Sequence, residues 1–142
     1  MSKGLVATAS AKVRAPITNV WDALIRPEMI KQYMFGTEVS TKWKVGGPIV
    51  WKGTWNGKPY EDKGTVLNFE CLERLVFTHY SPLSGLPDIP ENYHTVTIEL
   101  SDVDRYTEVK LKQDNNTTEE ERQHSEENWN VMLGGLKKLV EK

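Results

Sequence analysis

The chain has 142 residues, with 18 basic against 20 acidic residues and a formal charge of -2. That length suits a single domain spanning 1–142, able to bury roughly two thirds of its unfolded surface. The mixed charge gives no footprint for nucleic acid or an anionic membrane, and a lone cysteine, Cys71, excludes an internal disulfide.

Apolar runs are only a few residues long and the N-terminus lacks a basic-then-apolar leader, so the expectation is a cytoplasmic protein with no membrane partner. Leu5 to Val13 reads as a first strand, with Leu5, Ala7, Ala9, Ala11 and Val13 on one face at period two. After Pro16 the apolar positions become Ile17, Val20, Trp21, Leu24 and Ile25, the spacing of a helix stripe. Pro27 stops that helix and opens a short second one. From Thr37 the chain turns to strands, broken at Gly46-Gly47-Pro48, at Asn56-Gly57 and between Ser81 and Asn92.

Asn56-Gly57 is the sharpest local signal, because a two-residue type I′ turn needs positive φ at both positions and these two residues tolerate it. The turn sets a register of Trp55 opposite Lys58, Gly53 opposite Tyr60, Trp51 opposite Asp62 and Ile49 opposite Gly64, all facing one way. Lys52 and Glu61 then lie on the other face. A turn at Glu70 to Glu73 pairs Val66 with Phe77 and Gly64 with His79. The long loop after it pairs Phe77 with Val96 and His79 with His94. Inward positions continue through Ile98, Leu100, Val109, Leu111 and Gln113, giving a seven-stranded antiparallel meander. Thr117-Thr118-Glu119-Glu120 is a capping box for a helix that runs to the end of the sequence, acidic at its start and with Lys137, Lys138 and Lys142 near its end. Its apolar stripe, Trp129, Met132, Leu133, Leu136 and Val140, fills only the second half. The front half, carrying Glu121, Arg122 and Ser125, is expected to face water or a polar cavity mouth. Gly134-Gly135 is expected to serve close packing on the alanine-rich first strand.

The expected fold is therefore α+β of the helix-grip kind: a curved sheet around a long C-terminal helix, with two short helices after the first strand. No phosphate-binding glycine loop, dinucleotide fingerprint, nucleophile elbow or metal-binding spacing is present, so no cofactor or metal is expected. Candidate site residues come from the inward face. Trp51, Trp55 and Tyr60 offer more flat surface than one helix covers, and Phe77, Val96, Trp129 and Met132 continue the apolar lining. Asp62, His79 and His94, with Asn68 farther along, are the polar group on that face. Asp62 and His79 are diagonal neighbours, which makes them candidates for a carboxylate-oriented general base. The alternative is that they satisfy one another near water. Trp21 and Trp129, on helix stripes, are expected mainly in the core, whereas Trp43 either closes a rim or caps the core.

Ala15-Pro16, Val20-Trp21-Asp22-Ala23-Leu24, Pro27-Glu28, Gly46-Gly47, Gly64-Thr65-Val66, Arg74-Leu75-Val76-Phe77-Thr78 and Gly134-Gly135-Leu136 recur in order along nearly the whole chain. In this the chain resembles the activator of heat-shock-protein-90 ATPase homologue family, within the START-like (SRPBCC) superfamily. The resemblance implies the helix-grip cavity and two roles: binding a small apolar or amphipathic ligand, or partnering a heat-shock ATPase. A third role, a cyclase or hydrolase using Asp62 and His79, follows from relatives that do chemistry in the same cavity. The family shares no catalytic motif, so no catalytic role transfers to a residue here. Many bacterial members carry tryptophan where this chain has His79, and the loop from Ser81 to Asn92 is unusual in composition. The chain is expected as a monomer or weak homodimer through its edge strands.

Overall fold

The computed structural model describes residues 4–141; the side chain of Trp55 and the predicted helix-end charge Lys142 lie outside the described residues. The element order is β1 (Leu5–Val13), α1 (Ile17–Ile25), α2 (Pro27–Tyr33), β2 (Glu38–Thr41), β3 (Pro48–Trp55), β4 (Lys58–Glu70), β5 (Arg74–His79), β6 (His94–Val103), β7 (Tyr106–Asn116) and α3 (Glu119–Val140). The strands form one antiparallel sheet ordered β1-β7-β6-β5-β4-β3-β2, a meander from β2 to β7 closed by β1. This is the helix-grip architecture read from the sequence.

The β3–β4 hairpin follows from its turn. Asn56 and Gly57 adopt φ 51° and 79°, and the pairs Trp55–Lys58, Gly53–Tyr60, Trp51–Asp62 and Ile49–Gly64 form as the turn dictates. Gly53 has a steric role, since a Cβ there would sit 2.6 Å from the Tyr60 hydroxyl. On the outer face Lys52 and Glu61 pair at 3.7 Å.

Between β4 and β5 the expected register holds at Val66–Phe77 and then shifts, so that Asn68 pairs with Val76 and Phe69 with Leu75. This bulge corrects the sequence reading. Phe69, not Asn68, packs inward, edge-on to Trp21 at 5.3 Å and stacked on Trp43 at 6.0 Å between ring centroids.

Ile49, Leu75, Leu111, Leu133 and Leu136 are fully buried between sheet and α3, each contributing about 1.5–3 kcal/mol by the usual burial scale. α3 starts one residue later than the expected box. Thr118 is the N-cap and its hydroxyl accepts from the Glu121 N–H at 3.1 Å, while Glu121 takes the Thr117 hydroxyl at 2.7 Å. The front of α3 is not simply turned to water. Its Ser125 donates to Asn116 Oδ1 at 3.0 Å, and Glu126 accepts the Thr8 N–H at 3.1 Å. Farther along, Glu141 accepts the Arg14 N–H at 2.8 Å and Lys137 donates to the Lys12 carbonyl at 2.9 Å. The helix thus covers part of the free edge of β1 with side chains that occupy its unpaired backbone groups.

The glycine pair in α3 also differs from expectation. A Cβ on Gly135 would lie 3.1 Å from Tyr33 Cβ on α2, whereas Gly134 has nothing within 4 Å. The close approach is to the second helix, not to β1.

Candidate functional site

Inside the grip lies a cavity of about 100 Å³, several times the 10–15 Å³ or so that one water needs. The sheet supplies one wall. Trp51 on β3, Tyr60 and Asp62 on β4, and Phe77 and His79 on β5 line it, as the hairpin register requires. Trp129 and Met132 of α3 form the opposite wall.

Three sequence candidates stand apart from this group. Val96 is fully buried in the core and does not line the cavity. His94 opposes His79 in register, but its Nδ1–H donates to the Asp114 carbonyl at 2.8 Å and the ring lies outside the cavity lining. Trp55 is placed by its backbone alone, opposite Lys58. The two histidines and Asp62 therefore do not converge, and among the described residues no group of three metal-ligating side chains forms.

The sequence reading missed the contribution of the two short helices. Leu24 of α1, Ile30 and Tyr33 of α2, and Met34, Thr37 and Trp43 beyond it complete the lining, with Leu75 and Ile98 from the sheet. Ile30, Tyr33 and Met34 stand at helix spacing, so a stripe was present in the sequence. Where it docks is a tertiary fact. Trp43 both packs on Phe69 and lines the cavity, held by its Nε1–H on the Ile25 carbonyl at 2.8 Å.

At the polar end, His79 Nε2 and Asp62 Oδ2 are 2.9 Å apart. Trp51 stands edge-on to the imidazole at 5.1 Å and against Phe77 at 5.5 Å between centroids. Asp62 Oδ1 is buried without a hydrogen-bond partner among the described residues. Nearby, the Tyr60 and Thr37 hydroxyls are 2.7 Å apart, and the Thr37 hydroxyl donates to the Met34 carbonyl at 2.6 Å. Tyr33 donates to the Ala23 carbonyl at 2.6 Å, and burial pushes its phenol well above the usual range. Trp129 Nε1–H donates to Gln113 Oε1 at 2.5 Å. Chemically, this is an apolar chamber with a carboxylate–imidazole pair at one end.

A second, broader hollow of about 470 Å³ lies at the surface between Arg14–Thr18 and Asp102–Tyr106. Its walls mix two arginines and two aspartates with Ala15, Pro16, Ile17 and Tyr106. The apolar chamber under α3 is the better site for a small molecule.

The family model described as Activator of Hsp90 ATPase homolog 1-like protein matches residues 14–141. The solution structure of ChR145 from Cytophaga hutchinsonii is 56% identical, with a TM-score of 0.86 over 99% of this chain and 97% of that one. Protein NE0264 from Nitrosomonas europaea shares the fold at 20% identity and TM-score 0.77, over 99% and 96% of the two chains. The Aha1 dimer from Colwellia psychrerythraea does so at 20% and 0.74, over 96% of each chain. A search of curated proteins found no match.

Proposed function

The chain belongs to the Activator of Hsp90 ATPase homolog 1-like family, and from that premise we propose that it binds a small, mostly apolar molecule in the chamber between sheet and α3. The observation that carries this reading is the unfilled chamber itself, walled by Trp51, Phe77, Trp129 and Met132 and polar at only one end. A core serving stability alone closes such space, because each unfilled void forfeits packing energy. The contacting residues of this reading are those four with Tyr60, Asp62 and His79. Titration with p-xylene and p-methylbenzyl alcohol, followed by nitrogen–proton correlation NMR, tests it. Shifts confined to the indole signals of Trp51 and Trp129 and to the backbone of β4 and β5 are the expected result. No shift in these signals at saturating probe overturns the reading.

The family description supports a second reading, stimulation of an Hsp90-type ATPase by surface contact. Adding the protein at saturating concentration to such an ATPase and finding its rate unchanged removes that reading. A hydrolase or cyclase role for Asp62 and His79 rests on their hydrogen bond alone and is the weakest of the three.

A further inference from the structure

The protons at the polar end of the chamber can be followed one by one. The Thr37 hydroxyl gives its proton to the Met34 carbonyl, so the 2.7 Å contact with Tyr60 is a bond that Tyr60 donates. Tyr60 is then left with acceptor capacity only. The donors of Tyr33, Trp43 and Trp129 are spent on the Ala23 carbonyl, the Ile25 carbonyl and Gln113. His79 gives Nε2–H to Asp62 Oδ2, so that donor is spent as well. Of the side-chain donors in the lining, the Trp51 indole N–H is the one without a protein acceptor among the described residues.

Against that stands Asp62 Oδ1, an acceptor buried from solvent and unpartnered. A buried carboxylate oxygen without a donor bears its full desolvation penalty, so such atoms are seldom left unmatched. Asp62 lines the chamber, which sets its carboxylate beside a bound molecule.

We propose that the ligand of this chamber is an amphipathic hydrogen-bond donor whose hydroxyl or ammonium group points at Asp62 Oδ1, and that acidic amphiphiles such as fatty-acid carboxylates are rejected. The apolar body lies against Trp51, Phe77, Trp129 and Met132. This rests on the ligand-binding reading above and adds the chemical class. A hydroxyl can also accept from the Trp51 indole, which an ammonium cannot. A carboxylate brings a second negative charge to a site that already holds one and offers no proton.

Four probes of one shape test the proposal: p-xylene, p-methylbenzyl alcohol, p-methylbenzylamine and p-toluate, each titrated by NMR. The alcohol or the amine is expected to bind about tenfold or more tightly than p-xylene, as a hydrogen bond to a charged group implies, with p-toluate weakest. Whichever of alcohol and amine wins decides between a neutral and a cationic donor. In Asp62→Ala the ratio of alcohol to p-xylene affinity is expected to fall towards one. Asp62→Leu, similar in size and without an acceptor, gives the same comparison should the alanine variant fail to fold. Equal binding of p-xylene and the alcohol, or a ratio unchanged in the variants, overturns the proposal and leaves ligand binding standing. Binding of none of the four removes both. A high-resolution structure with saturating alcohol that shows only water on Asp62 Oδ1 also overturns it.

Discussion

Three glycine-to-alanine substitutions separate steric necessity from helix propensity. A Cβ on Gly64 would lie 1.7 Å from the Thr78 carbonyl oxygen and 2.6 Å from its carbon. Tolerable contact begins at 3.0 Å, so β4 and β5 must part by about 1.3 Å, the difference of 3.0 and 1.7. Three hydrogen bonds flank that point: Thr65 N–H to Thr78 Oγ1 at 2.9 Å, Lys63 N–H to the Tyr80 carbonyl at 3.0 Å, and Tyr80 N–H to the Lys63 carbonyl at 2.8 Å. None survives such a displacement. At about 1 kcal/mol net each, Gly64→Ala costs about 3 kcal/mol. For 142 residues the unfolding entropy is about 300 cal/mol/K, so Tm falls by about 10 °C. Gly134→Ala meets nothing within 4 Å, so it gains helix propensity of about 1 kcal/mol and raises Tm by about 3 °C. Gly135→Ala wins the same propensity but presses on Tyr33 at 3.1 Å, and Tyr33 is pinned by its bond to Ala23. Its net change is expected near zero or negative. Calorimetry and urea unfolding of the three variants measure these values. A Gly64→Ala protein within about 0.5 kcal/mol of the parent, or a Gly134→Ala loss equal to that of Gly135→Ala, refutes the reasoning.

Thr118→Ala removes the N-cap acceptor for Glu121 N–H and is expected to cost about 1 kcal/mol, with Thr118→Ser close to neutral in the same urea titration. Acid is expected to destabilise the fold through three carboxylates held below the ordinary range: Asp88 by hydrogen bonds from Lys63 and Tyr93, Glu119 by Arg122, and Glu141 by the Arg14 N–H and Lys137. Because their folded values lie below the unfolded ones of about 4, this stabilisation is present above that pH. It is lost as pH falls through the folded values. Asp88 and Glu119 are exposed and Glu141 half-buried, so added salt is expected to shrink the effect, most at the first two; stability unchanged from pH 7 down to about 3 contradicts it.

Legibility of the site tracked how local its determinants are. Asn56-Gly57 fixes the pairing from Trp55 back to Ile49, because turn type and the two-residue period leave no freedom. It therefore placed Trp51, Tyr60 and Asp62 on one wall. The register of His79 against His94 was also readable, yet the direction of the His94 side chain was not, since it depends on the Asp114 carbonyl on the neighbouring strand β7. The bulge after Val66 carries no sequence mark beyond an ordinary polar–aromatic pair, so the two-residue period carries Asn68 inward where the fold instead turns Phe69 in. The wall made by α1 and α2 was visible as stripes without an address.

The same distinction bears on the ligand. An inward aspartate can be read from alternation, and alternation alone allows it to be a satisfied member of a polar cluster. What changes its meaning is the fate of each neighbouring proton: Thr37 on Met34, Tyr60 on Thr37, Trp129 on Gln113. Each of those bonds joins residues whose proximity only the folded chain creates or orients. Had any one of these donors instead turned to Asp62, its second oxygen would be matched and the chamber would favour a wholly apolar guest. Its chemical preference thus resides in hydrogen bonds among residues that, apart from Asp62 itself, carry no charge.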